Sequence, residues 1–398
     1  MPVLEKSATK ALPYPYLSIT HSKHYTGAGI WCWDSHHMAM RFAYAGKPKY
    51  FKFFIDNLIH YQTDDGFTPN SINPNNGIVK LFTGFQSQPF LMQSALMYLS
   101  RTNDFQWIKE RFDKLKQYLK YYETNCSAPY GLFRWPNSWM GGIDNDVVTT
   151  FSQLDTIISV DINAWMYLEY RAASVLARKL KRKNDFAVFS KKAKRLCVAV
   201  NKTLWYDKMN SYSAYNLCTN KHQFHYYNQS TGKSIGRYLF QSCSNLIPLY
   251  ARMADKEKAI RMIKEYVLSE NHFLSPYGIR SLSKSSEYYN NAIWGNPTHY
   301  GNHSNSNWQG PVWFPLTYFM FHALMYYGFK KEAKNLANRA IKVLASSVNK
   351  IGAFTENYHG DTGEPLYAPG YASWNTLADM MYEEMENDNW IMNPVFDE

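Results

Sequence analysis

The sequence predicts an all-α chain folded as an (α/α)6 barrel, a toroid of helix hairpins with long loops at one mouth. Three observations predict it: apolar residues at helical spacing along most of the chain, helices that come in pairs with short turns, and long connections between the pairs. We expect helices at roughly 34–46, 48–63, 87–101, 104–123, 158–181, 184–204, 236–253, 255–268, 310–327, 329–347 and 371–385. Ile108, Phe112, Leu115, Leu119 and Tyr122 fall on one face behind a cap at Asn103 or Asp104. Ile162, Trp165, Leu168, Ala172 and Val175 repeat the pattern, as do Ala333, Leu336, Ala337, Ala340 and Leu344. Ala45-Gly46-Lys47-Pro48, Thr102-Asn103-Asp104 and Tyr327-Gly328-Phe329 are short turns of the kind that make antiparallel hairpins. With no sheet between them, such hairpins close into a ring, and the long connections 64–86, 124–157, 269–309 and 348–370 gather at one mouth. Six hairpins need one helix more than are counted. It is expected near the N-terminus or in 205–235, a tyrosine-rich stretch that also leaves room for a small β-excursion. A single catalytic domain at 12–390, with tails at 1–11 and 391–398, follows from the absence of any composition shift.

At 398 residues the chain can bury one large core. Aromatic residues make up 17% and charged residues 19%, which excludes a disordered chain and supplies flat faces able to stack on sugar rings. The formal charge of +11 raises nucleic acid or an acidic ligand as partners. The densest basic run, Arg178 to Lys194, alternates with apolar residues at helical spacing and reads as a solvated helix face, so no nucleic-acid partner is expected. Five cysteines without paired spacing argue against a disulfide framework. Neither CxxC nor HExxH occurs, and no metal or other cofactor is expected. The N-terminal stretch lacks the apolar run of a signal peptide and no segment reaches the length of a membrane span, so a cytoplasmic protein without membrane contact is expected.

The chemistry is carried by the long connections. Ser138-Trp139-Met140-Gly141-Gly142-Ile143-Asp144-Asn145-Asp146 places a carboxyl on a flexible turn beside an indole, where partial desolvation raises its pKa toward that of a proton donor. Read alone, it fits an ordinary polar loop with an Asx turn equally well. A second acid, Glu356, stands in Phe354-Thr355-Glu356-Asn357-Tyr358-His359-Gly360 among aromatic and amide neighbours. Two carboxyls on converging loops are what inverting glycoside hydrolysis requires, one to protonate the leaving oxygen and one to activate water. Asp146, Asp361 and Glu364 compete with them and are expected instead to be solvated turn residues. Trp31-Cys32-Trp33-Asp34 supplies two indoles and an acceptor suited to a sugar ring and its hydroxyls, or else a capped helix with buried indoles. The following pair, His36 and His37, reads as helix surface or core. Gln88 offers an amide that can bridge adjacent hydroxyls, and Asn307-Trp308-Gln309-Gly310-Pro311-Val312-Trp313 sets two indoles around a Gly-Pro turn.

Taken in order, Trp33-Asp34, Asp65-Gly66-Phe67-Thr68-Pro69, Ser87-Gln88-Pro89, Gly141-Gly142-Ile143-Asp144-Asn145, Val160-Asp161-Ile162-Asn163-Ala164, Trp308-Gln309-Gly310-Pro311-Val312-Trp313, Glu356-Asn357-Tyr358 and Thr362-Gly363-Glu364 resemble glycoside hydrolase family 63 from about residue 12 to 385. The resemblance implies the same barrel and inverting hydrolysis of α-glycosides, with Asp144 in the position of the general acid and Glu356 in that of the general base. The short architecture is most similar to the mannosylglycerate and glucosylglycerate hydrolases. Two departures stand out: Asp146 replaces a small residue that Pro usually follows, and the usual acidic residue before the glycines is missing. Trp31, Trp33, Asp34, Gln88, Trp308 and Gln309 are expected to hold the released sugar, with Trp139, Asn145, Gly310, Trp313 and Tyr358 completing the binding site. The expected partner is a small carbohydrate: glucosylglycerate or mannosylglycerate, its carboxylate met by Arg237, Arg280 or a tyrosine of 205–235, or else a neutral α-glucoside. A sugar-binding toroid without catalysis is the reading from another class; it would need the aromatics and amides but not both carboxyls.

Overall fold

The computed structural model describes residues 4–22, 25, 29–78, 86, 88–150, 154–222, 224–227, 234–238, 241–294, 306–387 and 394–396, leaving aside the side chains of 78, 138, 139, 154, 224–227 and 234–238. Twelve helices are present among them. They are α1 Cys32–Tyr44, α2 Lys49–His60, α3 Leu91–Thr102, α4 Phe105–Asn125, α5 Val147–Thr150, α6 Val160–Lys179, α7 Lys183–Thr203, α8 Ile247–Tyr250, α9 Lys256–Met262, α10 Phe314–Tyr326, α11 Lys330–Ile351 and α12 Thr376–Asn387.

Six of them close a ring: α1 packs on α3, α3 on α6, α6 on α8, α8 on α10, α10 on α12, and α12 returns to α1. The outer layer follows the hairpin rule, with α2 against α1 and α3, α4 against α3, α7 against α6, and α11 against α10 and α12. Burial separates the two layers. In α10 every residue from Phe314 to Phe321 is buried, whereas α7 buries only Phe189, Ala193, Leu196 and Val200, a single stripe. The turns behave as local chemistry requires. Asp104 caps α4 by accepting the Trp107 amide at 3.1 Å, and Asn103 and Gly352 end α3 and α11 in the left-handed region.

Two expectations about elements are corrected. The helix expected at 236–253 is instead the strand Ser234–Tyr238, paired antiparallel with Phe224–Tyr227, followed by a 3-10 turn Cys243–Leu246 and the short α8. Pro248, which has no amide hydrogen, is compatible only with the first turn of a helix and so confines α8 to a late start. The missing outer helix is found neither in 4–22 nor among the described residues of 205–235. The N-terminal stretch forms two short strands, Glu5–Lys6 and Tyr16–Leu17, the second resting on α1 and α2. The anticipated β-excursion is the pairing of Phe224–Tyr227 with Ser234–Tyr238, and Trp205–Tyr206 pairs separately with Ser211–Tyr212. At the two ends, Glu5 accepts from Tyr50 at 2.5 Å, and Val395 is fully buried with its carbonyl bonded to Arg171 at 3.2 Å.

No outer helix covers the seam between α12 and α1 among the described residues, and side chains hold it. Arg41 of α1, 5% exposed, donates from Nε to Asp379 at 2.7 Å and from Nη2 to Glu383 at 2.9 Å, both on α12. The two acids are one-third to one-half exposed, so solvent screens the pairs and their worth is modest. Arg41→Met should lower stability by about 1–2 kcal/mol, read as a lower urea midpoint at unchanged slope; an unchanged midpoint would show that apolar packing alone holds the seam.

Candidate active site

The inner helices bring their N-terminal ends to one mouth. Trp33 and Asp34 from the first turn of α1, Gln88 ahead of α3, Trp313 at the start of α10 and Trp374 just ahead of α12 all line one cavity of about 320 Å³. Its floor is a cluster of indoles. Trp308 and Trp313 stack with ring centres 3.8 Å apart, and Trp33 and Trp374 pack around them at 5.6–5.7 Å. Such a surface matches the apolar face of a pyranose ring. The upper wall is built by Trp31, Tyr25, Tyr367 and the half-exposed Trp294, which leans on Tyr367 at 4.3 Å.

Asp144 and Glu356, far apart in sequence, both line this cavity. Asp144 is brought there by the turn at Gly142, whose φ of +66° suits glycine and whose Cβ, if present, would fall 1.7 Å from Gln88 Nε2. Gln88 donates to the Gly141 carbonyl at 2.5 Å, so its amide both supports the acid's turn and lines the cavity. Ser306 Oγ donates to Asp144 Oδ2 at 2.6 Å. Glu356 is 3% exposed and accepts from Tyr25 OH at 2.7 Å. Its main chain is clamped on both sides: the amide bonds to the Tyr367 carbonyl at 2.7 Å, and the carbonyl accepts from Trp374 Nε1 at 2.9 Å. A third carboxyl, Asp34, accepts at Oδ1 from Tyr371 at 2.5 Å and Ser373 at 2.7 Å, while its Oδ2 makes no hydrogen bond among the described residues.

Burial lifts all three carboxyls above the ordinary range. Asp144 is raised to about 6 against the pull of Ser306, and Asp34 to about 7 against its two hydroxyl donors. Glu356 is raised well above its usual value by burial and by the charges of Asp144 and Asp34, with Tyr25 opposing. Among the described residues no Lys, Arg or His lines the cavity.

Of the residues singled out in the sequence, Trp31, Trp33, Asp34, Gln88, Asp144, Trp308, Trp313 and Glu356 line the cavity. Asn145, Gln309, Gly310 and Tyr358 stand behind it. Asn145 accepts the Trp308 amide at 2.6 Å, Gln309 Nε2 donates to the Asn145 carbonyl at 3.0 Å, and Tyr358 pairs with Val312 in a β-bridge and donates to Asn375 at 3.0 Å. The Trp139 side chain lies outside the described residues, as does that of Arg237. Arg280 is not at the cavity. Its guanidinium, 2% exposed, is consumed by Asp361 at 3.0 Å, Tyr289 at 3.1 Å and two main-chain carbonyls.

The competing acids are also placed. Asp146 is buried at 2% rather than solvated; it opens α5 by accepting the Val148 amide at 3.2 Å, and burial raises it to about 7. Asp361 is ion-paired with Arg280 and Lys284, and Glu364 is half exposed beside Lys350. His36, stacked on Phe90 at 4.7 Å and bonded to Ser94 at 2.7 Å, is a core residue. Tyr25, Ser306, Trp294, Tyr367 and Trp374 were not singled out, because each stands outside the acidic and Trp-Asp motifs and reaches the cavity only through the fold. A larger groove of about 510 Å³ on the outside, between α6 and α7, is lined by Arg171, Arg178 and Lys194 and contains no carboxyl.

The chain matches the model of the mannosylglycerate hydrolase MGH1-like glycoside hydrolase domain over residues 27–374. It is 30% identical over 182 residues, 32% of this chain and 17% of the other, to an uncharacterized protein of Saccharomyces cerevisiae. It is 28% identical over 134 residues, 31% of this chain and 15% of the other, to a probable mannosyl-oligosaccharide glucosidase of Schizosaccharomyces pombe. The chain thus spans less than a fifth of the length of either relative. In three dimensions it resembles the GH63 mannosylglycerate hydrolase from Thermus thermophilus in complex with Tris and D-glycerate, with a TM-score of 0.71 at 16% identity over 95% of this chain and 97% of that one. The neutral trehalase Nth1 from Saccharomyces cerevisiae gives 0.69 at 15% identity, over 94% and 73%. These likenesses establish the barrel, and the family match places the chain in that glycoside hydrolase family.

The turn at Gly142 can be tested directly. Gly142→Ala should push the Gln88 amide and the acid's turn apart and lower kcat/KM by roughly 10²-fold, the scale of an ångström-level misplacement, with a lower melting temperature because a φ of +66° strains a residue with a Cβ. Full activity in this variant would show that the turn has slack.

Proposed function

We propose that this chain, which belongs to the mannosylglycerate hydrolase MGH1-like glycoside hydrolase family, cleaves a small α-glucoside or α-mannoside with inversion at the anomeric carbon. The observation that carries the reading is the meeting of Asp144 and Glu356 on one cavity floored by stacked indoles. Asp144 donates its proton to the glycosidic oxygen as the bond to the anomeric carbon breaks. Glu356 takes a proton from the water whose oxygen bonds to that carbon from the opposite face. Inversion calls for the two carboxyls to stand roughly 6.5–9.5 Å apart, leaving room for that water. The unpaired Oδ2 of Asp34 and the Gln88 amide are suited to the hydroxyls of the ring held on the indoles.

The proton must be on Asp144 and not on Glu356, and burial raises both. Substrate sets this order on physical grounds. A glycosidic oxygen accepting from Asp144 favours its protonated form, and a water donating to Glu356, together with the Tyr25 hydroxyl, favours its ionised form. The two groups therefore titrate as a pair that is active when it carries one proton.

The glycerate-linked sugars are supported by the family match, and Asn70, Ser71 and Gln88 offer amide and hydroxyl donors on the described wall. One observation favours a second reading within the same chemistry. Three carboxyls face the cavity and Arg280 is tied up elsewhere, a setting better suited to a neutral α-linked disaccharide. Incubation with mannosylglycerate, glucosylglycerate and neutral α-disaccharides, with the anomer of the released sugar followed by NMR, separates the two. Retention of configuration would overturn the mechanism, and binding without release on every substrate would favour a silent sugar-binding toroid.

The pH profile follows from the pair. Both carboxyls are raised, so kcat/KM should fall on the acid side as the base gains a proton and on the alkaline side as the acid loses its own, with the acid limb displaced above the ordinary carboxylate range. Asp144→Asn should abolish the alkaline limb and lower kcat by roughly 10²–10⁴-fold. An unchanged bell in that variant would remove Asp144 from the role.

A further inference from the structure

Two adjacent amides outside the cavity tie the loop of one carboxyl to the loop of the other. Asn291 reaches the Glu356 loop: its Oδ1 accepts the Gly360 amide at 2.6 Å and its Nδ2 donates to Asp361 Oδ2 at 3.1 Å. Tyr289 reinforces that contact by donating to Asp361 at 2.9 Å, and Arg280 braces the same carboxylate from behind at 3.0 Å. The approach is close enough that a Cβ on Gly360 would lie 2.7 Å from the Gly310 carbonyl and 2.8 Å from the Tyr289 hydroxyl.

Asn290 faces the other way, toward the Asp144 loop. Its main-chain amide bonds to the Gln309 carbonyl at 2.8 Å, its Nδ2 to Gln309 Oε1 at 3.2 Å, and its Oδ1 accepts from Asn307 Nδ2 at 2.8 Å. Asn307 Oδ1 in turn accepts from Asn145 Nδ2 at 3.2 Å, and Asn145 is the neighbour of Asp144 in the chain. Asn145, Asn307 and Gln309 are wholly buried, so each of these amides depends on its protein partners. Ser306, the donor to Asp144, is the residue before Asn307 and bridges to Trp294 on the same segment as Asn290.

We propose that Asn290 and Asn291 are positioning residues that together set the separation of the two carboxyls, Asn290 holding the Asp144 loop and Asn291 the Glu356 loop. This rests on the acid and base roles proposed above. In an inverting reaction the separation must admit one water beside the base while keeping the acid in reach of the leaving oxygen, so a rigid spacer outside the cavity is worth having. Neither residue lines the cavity. Their effect is therefore expected in turnover rather than in sugar affinity.

Leaving-group dependence distinguishes a positioning role from general loosening. An α-glycosyl fluoride of the accepted sugar needs little protonation to depart, whereas an alkyl glycoside needs the acid fully. Asn290→Ala should lower kcat on the alkyl glycoside at least roughly 10-fold more than on the fluoride, and Asn291→Ala should lower both alike, since water activation is needed for each. Asn307→Ala breaks the same clasp from the opposite side and should reproduce Asn290→Ala, with the double variant no worse than either single one. Inhibition by the free sugar should change less than about threefold throughout, an allowance that leaves sugar affinity outside the effect. Equal losses on both substrates in all three variants, or none, would overturn the proposal. Failure of the underlying roles looks different, since Asp144→Asn would then show no sparing on the fluoride.

Discussion

The closure of α12 onto α1 is the constraint on which the rest of the molecule depends. Each hairpin buries its inner helix on both sides only if the ring has no open end, and α1, α3, α6 and α10 are buried over most of their circumference. An open edge at α10, where Phe314 to Phe321 are all buried, would expose a surface that water does not tolerate. Among the described residues the closure is made without an outer helix at the seam. Arg41 reaches across it to Asp379 and Glu383, and near the mouth Asp34 of α1 is bound by Tyr371 and Ser373 just ahead of α12. The same residue that lines the cavity thus helps to join the first and last inner helices.

Closure also determines where the chemistry sits. Inner helices that run the same way present their N-terminal ends together, and the loops entering those ends carry Asp34, Gln88, Trp313 and Trp374 to a common point. The long connections then add Asp144 and Glu356. Because this mouth is walled by aromatic rings, carboxyl groups there lose hydration, and their pKa values rise together. Polar order in the second layer compensates: Asn145, Asn307, Gln309 and Asn375 are buried amides whose donors and acceptors are matched to one another and to the main chain. That layer allows strongly perturbed groups to be held on loops rather than on helices.

Part of this was legible from the residues alone. Helical period and short turns were sufficient for the ring, and α10, apolar all round, could be told from α7, which carries one stripe. The two acids and the indoles Trp31, Trp33, Trp308 and Trp313 could be singled out because each occurs within a local run whose chemistry is recognisable. Asp146 reads as solvated in the sequence because a polar residue after Gly-Gly-Ile-Asp-Asn usually lies outside, and only packing puts it at 2% exposure. The helix expected over 236–253 failed because helical periodicity in an aromatic-rich stretch is also compatible with a strand, and Pro248 delays the helix.

Sequence by itself determined the class of fold, the helical segments outside the middle stretch apart from the short α5, and the residue types able to do acid–base chemistry on a sugar, since these follow from period, turn composition and side-chain identity. Tertiary structure decided which of those residues meet. It moved Arg280 from an expected ligand contact to a brace on Asp361, set Asn145 and Gln309 behind the wall instead of on it, and recruited Tyr25 and Ser306 as the donors to Glu356 and Asp144. The physical reason is that hydrogen bonds between loops distant in sequence depend on where ring closure leaves each main chain, and no local pattern records that position.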